Sequence, residues 1–464
     1  MFQLFSNLKN MLGLETKTSY KMSVNSFIKM ANAFGISSIE SDTMIKAIEM
    51  WNSVFQRSKT QIMKTVCHEA AKLTLTDMDI TVSSRNTISE AEKAVLNTAV
   101  SDLKNKLTRK LELGIALGGL IIKPTTKGFD IIAPTDFIPV SFNASGELCS
   151  VIFIDKMKKN GVFYTKLEYH HFEGEKYVID NKVFCSKNEY ELGDVCKPKN
   201  TEAWADLESH VEILNLAKPL YSYFRMPGCN NVDETSEQGI SLCSSAIEYI
   251  HSFDNAFDGF RADLETTRKV IFVNNSSMLS LDKSIAGKQR DFTRNPLPNL
   301  IVGMNGGVDQ IKEFNPSCNV NEFKTALQML LDIIATSSGF TTGYFTFDNR
   351  RAAVTATQIE SEDQNTIATI SSIRENLKVA ITDAVIAFID TLYLYNMLQK
   401  DDYDVTFYAR DLSVTPEADR QHTLALVKEG YYPLELYLKE YEGFSDEDIE
   451  KYRNKIPAFK TTNE

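Results

Sequence analysis

The chain has 464 residues and a net charge of −12, with 43% hydrophobic and 24% charged residues. That length predicts two to four domains with ample core, and the composition is that of a soluble globular protein. The acidic balance excludes a general nucleic-acid binder, whose affinity comes from neutralised phosphates. It does not exclude a protein that touches DNA without holding it.

The seven cysteines are scattered and form no C-x-x-C, which predicts reduced thiols in a cytosol. Residues Met1 to Leu14 are weakly apolar and contain Lys9, so no secretory signal is read there. The longest apolar run, Leu113 to Ile122, is too short to span a bilayer. A soluble intracellular chain with no membrane partner is expected.

The first hundred residues read as helices, including Ser23–Phe34, Asp42–Phe55 around Trp51, and Ser89–Leu113, with Gly114 to Gly119 ending the last. Strands follow at Leu120–Lys123, Phe129–Ile132, Glu147–Lys156, Val162–Tyr169 and Lys176–Ile179. Asn and Gly turns between several of them predict an antiparallel layer. Residues 185–235 are loop-rich.

After Gly239 the texture changes. Ala246, Ile250, Phe253, Phe257, Phe260 and Leu264 form a heptad seam on one helix face. Arg268–Val273 then reads as a strand, 274–318 as a turn-rich insert, and Asn321–Ser337 as a second apolar helix. A small β insert between two struts is the simplest geometry.

From Tyr344 to Thr415 there is neither glycine nor proline. The stretch opens as an aromatic, basic loop, Tyr344 to Arg351, and continues as one helical pattern from about Thr355 to Leu398. An unbroken helix of that size would be roughly 65 Å long, several-fold beyond a usual globular helix. Thr355 with Gln358, and Thr357 with Glu360, fit capping boxes. The closing segment reads as a strand from about Tyr403 and then small acidic helices, two of them stopped by Gly430 and Gly443. The third opens at Ser445–Asp448.

Catalytic and metal-binding patterns are sparse. His170-His171 lies on a strand, so the two rings point to opposite faces and chelate poorly. No H-E-x-x-H, Walker loop or G-x-S-x-G is present. Asp254 and Asp258, one helical turn apart, read as a solvated face. Lys283, Lys288, Arg290 and Arg294 crowd the insert. Either they meet phosphates or an acidic partner, or they belong to an ordinary exposed loop. Arg350-Arg351, beside Tyr344, Phe345, Phe347 and Asn349, is the second basic feature.

The order helix, β insert, helix, loop, very long helix and acidic helical tail resembles the portal proteins of tailed bacteriophages, nearest the type in phages of Gram-positive bacteria. Pro227 to Ser241 is similar to that family's Asn-rich turn before a Gly-x-Ser helix start. Ser337-Ser338-Gly339-Phe340, Gly343 to Phe347 and Thr355 to Ile359 are similar to its loop signature. Gly118-Gly119 and Pro134 to Pro139 fit its upstream β region. Gln358 departs from the carboxylate expected there.

The resemblance implies an α+β portal fold. Its parts would be a wing (1–238), stem helices (239–267 and 319–339) around a clip (268–318), a channel loop (340–354), a long wing helix (355–398) and a crown (399–464). It implies a non-enzymatic ring, typically a dodecamer, at the capsid vertex of a virion built in the host bacterial cytoplasm. Double-stranded DNA would pass through it. The terminase large subunit would dock at the clip, followed by a head–tail adaptor, with major capsid and scaffolding proteins around the ring.

Under this reading Tyr344, Phe345, Phe347, Asn349, Arg350 and Arg351 face the DNA, and Lys283, Lys288, Arg290 and Arg294 serve docking. No cofactor or metal is implied. The alternatives are a scaffold or tail-associated protein without a DNA channel, and a metal-dependent nuclease using Asp254 and Asp258.

Overall fold

A computed structural model describes residues 16–17, 24–37, 39, 41–76, 78–84, 90–267, 270–274, 300–304, 311–314, 317–347, 364–398, 403–409, 416–444 and 449. Helices are joined with mostly antiparallel sheets, an α+β arrangement.

A short strand β1 (Thr16–Lys17) precedes helices α1 (Val24–Asn32), α2 (Asp42–Arg57) and α3 (Ile62–Leu75). Ser41 caps α2 by accepting from the Met44 amide at 3.1 Å. Helix α3 falls within the stretch expected to be helical, although it has no side-chain cap; Gln61 starts it in the left-handed region. Strand β2 (Met78–Ser84) corrects the helical expectation for the first hundred residues: Met78, Ile80 and Val82 alternate with exposed Asp79 and Thr81, a period of two, before α4 (Glu90–Leu117).

The predicted end of α4 at Leu113 is corrected. Gly114 lies inside the helix because Leu120 occupies the space a side chain would need: a Cβ there would lie 2.7 Å from Leu120 Cδ2. The chain turns only at Gly118, with φ of 92°.

Nine strands follow: β3 (Gly119–Thr125), β4 (Gly128–Ile132), β5 (Phe137–Phe142), β6 (Leu148–Lys159), β7 (Val162–Glu173), β8 (Lys176–Ser186), β9 (Asp194–Cys196), β10 (His210–Leu214) and β11 (Ser222–Arg225). The larger sheet has the order β1-β6-β7-β8-β10, with β5 also on β6 and β9 on β8, all antiparallel. Asn160-Gly161, both at positive φ, make the tight turn between β6 and β7. The smaller sheet, β11-β3-β4, joins β11 to the end of α4.

Helix α5 (Ile247–Thr266) comes next, then strands β12 (Val270–Asn274), β13 (Leu300–Met304) and β14 (Ile311–Phe314), then α6 (Val320–Ser337). The three strands form their own sheet with β12 central, parallel to β13 and antiparallel to β14. The two helices run antiparallel. Phe260 near the end of α5 meets Phe323 near the start of α6, with centroids 5.3 Å apart. At the opposite end the Ser338 hydroxyl donates to Cys243 Sγ at 3.7 Å.

Burial along this pair fades toward the three-stranded sheet. Ala246, Ile250 and Phe253 are buried, but Phe257 and Leu264 on the same seam are exposed; Ile334 and Leu331 are buried, but Val320 is exposed. The distal ends of both helices therefore stand clear of the core, beyond Phe253 on α5 and Leu327 on α6.

Helix α7 (Gln364–Leu394) has 31 residues and is about 46 Å long. The expected end at Leu398 is corrected to Leu394. Asn396 is left-handed (φ 56°), and the Met397 and Asn396 amides donate to the Leu392 and Tyr393 carbonyls at 2.8 and 2.9 Å. That is a Schellman stop with asparagine in place of glycine. Thr355, Thr357, Gln358 and Glu360 lie outside the described residues, as does the Ser445–Asp448 helix start. Strand β15 (Tyr403–Ala409) pairs antiparallel with β2. Helices α8 (Pro416–Glu429) and α9 (Leu434–Tyr441) close the described chain, followed by Gly430 and Gly443 at positive φ. Among the described residues no helix is long and apolar enough to cross a membrane.

Candidate functional site

The loop between α6 and α7 is built on a tightly held root. Gly339 (φ 75°) ends α6, and the Phe340 amide returns to the Ala335 carbonyl at 2.9 Å. The first turns of α7 grip the same stretch. Thr366 Oγ1 accepts from the Thr341 amide at 3.0 Å, and the Thr369 hydroxyl donates to the Gly339 carbonyl at 2.8 Å. Tyr344 and Phe345 turn inward onto Phe340, with ring centroids 5.0–5.2 Å apart. The Tyr344 hydroxyl reaches Glu69 on α3 at 3.0 Å.

Tyr344 and Phe345, both half-buried, thus anchor the loop at its root. Phe347, with 54% of its surface open, is the exposed ring. Asn349, Arg350 and Arg351 lie outside the described residues, as do Lys283, Lys288, Arg290 and Arg294.

Three features missed by sequence reasoning hold this platform. Arg374 of α7 is buried against the end of α3. Its guanidinium donates to the carbonyls of Leu73 (2.7 Å), Thr74 (3.0 Å) and Thr76 (2.9 Å), which the helix end leaves without partners.

The second is a crossing of bare backbone. A Cβ on Gly118 would lie 2.2 Å from the Gly239 carbonyl oxygen, and one on Gly239 would lie 2.1 Å from that of Gly118. The turn before α5 closes over this crossing through Asn230. Its carbonyl oxygen accepts from the Val232 and Asp233 amides at 3.0 Å, and its NH₂ donates to Ser236 and Gln238 carbonyls at 3.2 Å.

The third is Asp254, expected on a solvated face. It accepts from the Ser58 hydroxyl at 2.9 Å and the Thr60 amide at 3.2 Å, while Asp258 pairs with Lys59. Burial alone would raise the Asp254 carboxyl, but the Thr60 and Ser58 hydrogen bonds outweigh it and hold it below the usual range. These aspartates tie α5 to the α2–α3 turn. Among the described residues no three His, Cys, Asp or Glu side chains converge to hold a metal ion.

The histidine pair does split across the sheet. His171 stacks on Tyr169 at 4.3 Å. His170 is buried between Tyr177 (2.6 Å) and Glu168 (2.7 Å). Tyr177 Oη already accepts the Leu220 amide at 3.1 Å, so its proton goes to His170 Nδ1, and Nε2–H donates to Glu168. Lys123 of β3 and Lys166 of β7 pair with the same carboxylate. The cluster joins the two sheets at the floor of an open cleft of about 590 Å³, whose charged walls include Lys110, Asp130 and Lys156.

Burial lowers His170 from 6.5 to about 4, against the opposing pull of Glu168. Burial would raise Glu168, but Lys123, His170 and Lys166 hold it well below its ordinary value. Above pH 6.5 His170 is neutral in folded and unfolded chains alike. Between 6.5 and 4 only the unfolded chain takes up the proton, so stability falls as pH falls. The loss from His170 reaches roughly 3 kcal/mol near pH 4, and Glu168 extends it below 4.5. Thermal melts from pH 7.5 to 4.5 should show this decline, and His170→Gln should flatten the part between 6.5 and 4.5.

No protein-family model matches the chain, and no curated protein matches it.

Proposed function

We propose that the protein is a phage portal subunit, a non-enzymatic chain that assembles into a ring through which double-stranded DNA enters and leaves a capsid. One observation carries the reading. An antiparallel helix pair leaves the core, ends in a small three-stranded sheet, and returns into a loop clamped between the second helix and the long helix α7. In this reading α5 and α6 are the stem, β12–β14 belong to the clip, and the loop after Gly343 faces the channel.

Exposure of Phe257, Leu264, Val320 and Met329 on the distal helices supports it. Helices that expose so much apolar surface at one end need cover, and neighbouring copies in a ring supply it. An acidic chain with few basic loop residues also suits a conduit, because each added phosphate contact strengthens binding and slows sliding. The terminase large subunit and later a head–tail adaptor are the proposed clip partners, with capsid and scaffolding proteins around the wing.

The test is the mass of the purified assembly together with its image by negative stain. A ring with a central hole and close to twelve copies is expected. A monomer or open filament under all assembly conditions would refute the reading. Filaments would favour a scaffold or tail-associated protein instead.

A further inference from the structure

We infer that Gln328 on α6 is the positioning residue for the loop after Gly343, a role that deepens the portal reading and takes the loop's function from it. The Gln328 Nε2 donates to the Phe345 carbonyl at 3.0 Å. Its Oε1 accepts from the Phe347 amide at 3.1 Å and from the Thr346 hydroxyl at 3.3 Å. One amide group thus serves a carbonyl and the N–H two residues later, as a neighbouring strand would. It grips main chain, so the hold depends little on which side chains occupy 345–347.

The amide arrives already oriented. Asp332, one turn further along α6, accepts from the same Nε2 at 2.9 Å. That bond fixes which end of the amide is nitrogen and turns the oxygen toward Phe347. The grips of Thr366, Thr369 and Glu69 all act at or before Tyr344. Gln328 carries the hold forward to Phe347, the last described residue before Asn349, Arg350 and Arg351 in sequence.

The hold is also reversible. Thr346 and Phe347 are exposed, so water replaces their bonds when the segment lifts, and Asp332 keeps the amide satisfied on the helix. Nothing buried is left without a partner, which is the condition for a low cost of release. Gln328 therefore sets how strongly the seated segment is favoured over a lifted one.

Residue-resolved hydrogen exchange on the full chain tests this. Gln328→Ala should speed exchange of the Phe347 amide about tenfold, as loss of one hydrogen bond predicts, and leave the Phe340 amide at its wild-type rate. Gln328→Glu keeps the acceptor for Phe347 but not the donor for Phe345, so it should retain most of the Phe347 protection. Wild-type exchange at Phe347 in Gln328→Ala would overturn the proposal, as would equal acceleration at Phe340. If the ring forms, Gln328→Ala should also alter packaging or retention of DNA; unchanged DNA passage with fast Phe347 exchange would overturn the role in the channel. If no ring forms but the exchange pattern holds, the portal reading fails and the positioning of the loop by Gln328 stands.

Discussion

Gly118→Ala is expected to destabilise the fold by about 4 kcal/mol, lowering the melting temperature by roughly 10 °C. Two effects add. A side chain at φ of 92° is strained by about 1–3 kcal/mol. Its Cβ would also meet the Gly239 carbonyl oxygen at 2.2 Å, and backbone has no rotamer by which to retreat. Gly239→Ala meets the mirror contact, at 2.1 Å from the Gly118 oxygen and 2.8 Å from the Met226 nitrogen, without the positive φ. It should cost somewhat less.

Gly161 provides the comparison. It has a φ of 77°, and a Cβ added there would meet nothing within 4 Å, so Gly161→Ala isolates the conformational penalty, roughly 1 kcal/mol. Thermal melts of the three variants decide the matter. If Gly118→Ala and Gly161→Ala melt together, the two strands of backbone at the crossing can move apart, and the joint between α4 and the turn before α5 is softer than its geometry indicates.

Arg374→Met should cost about 3 kcal/mol and should loosen the last turn of α3 in particular. The methionine fills much of the same space but leaves the carbonyls of Leu73, Thr74 and Thr76 without donors. Arg374→Lys should recover only part of the loss, because an ammonium lacks the planar fork that spans three carbonyls. The exposed Lys176–Glu212 pair, 2.7 Å apart, provides the comparison for an ordinary surface charge: Lys176→Ala should leave the melting temperature essentially unchanged. Amide exchange near Thr74 and Thr76 checks the mechanism. Unchanged exchange there in Arg374→Met would show that water replaces the guanidinium without penalty.

Local signals proved readable and distant ones did not. Helices α2, α5 and α6 and the long hairpins follow from apolar spacing and from turns such as Asn160-Gly161. Strand β5 was hidden by Pro139, tolerated because β5 is an edge strand paired only with β6. Gly114 read as a helix stop because its partner Leu120 lies beyond the turn. Asp254 read as solvated because Ser58 and Thr60 are nearly two hundred residues away. The loop's aromatic composition was visible, but the direction of each ring was not. That direction depends on Phe340, Glu69 and Gln328, which come from three different elements.

The pairing of β15 with β2 has a consequence for how the protein is made. Tyr403 lies opposite Ser84 and Ala409 opposite Met78, so a strand from the first fifth of the chain waits for one near its end. At synthesis rates of about 5–20 residues per second the interval is on the order of half a minute. Throughout that time β2 lacks its partner strand, and α3 lacks the arginine that closes its carbonyls. A chain truncated before Tyr403 would leave the apolar face of β2 without its partner strand permanently and be prone to aggregate.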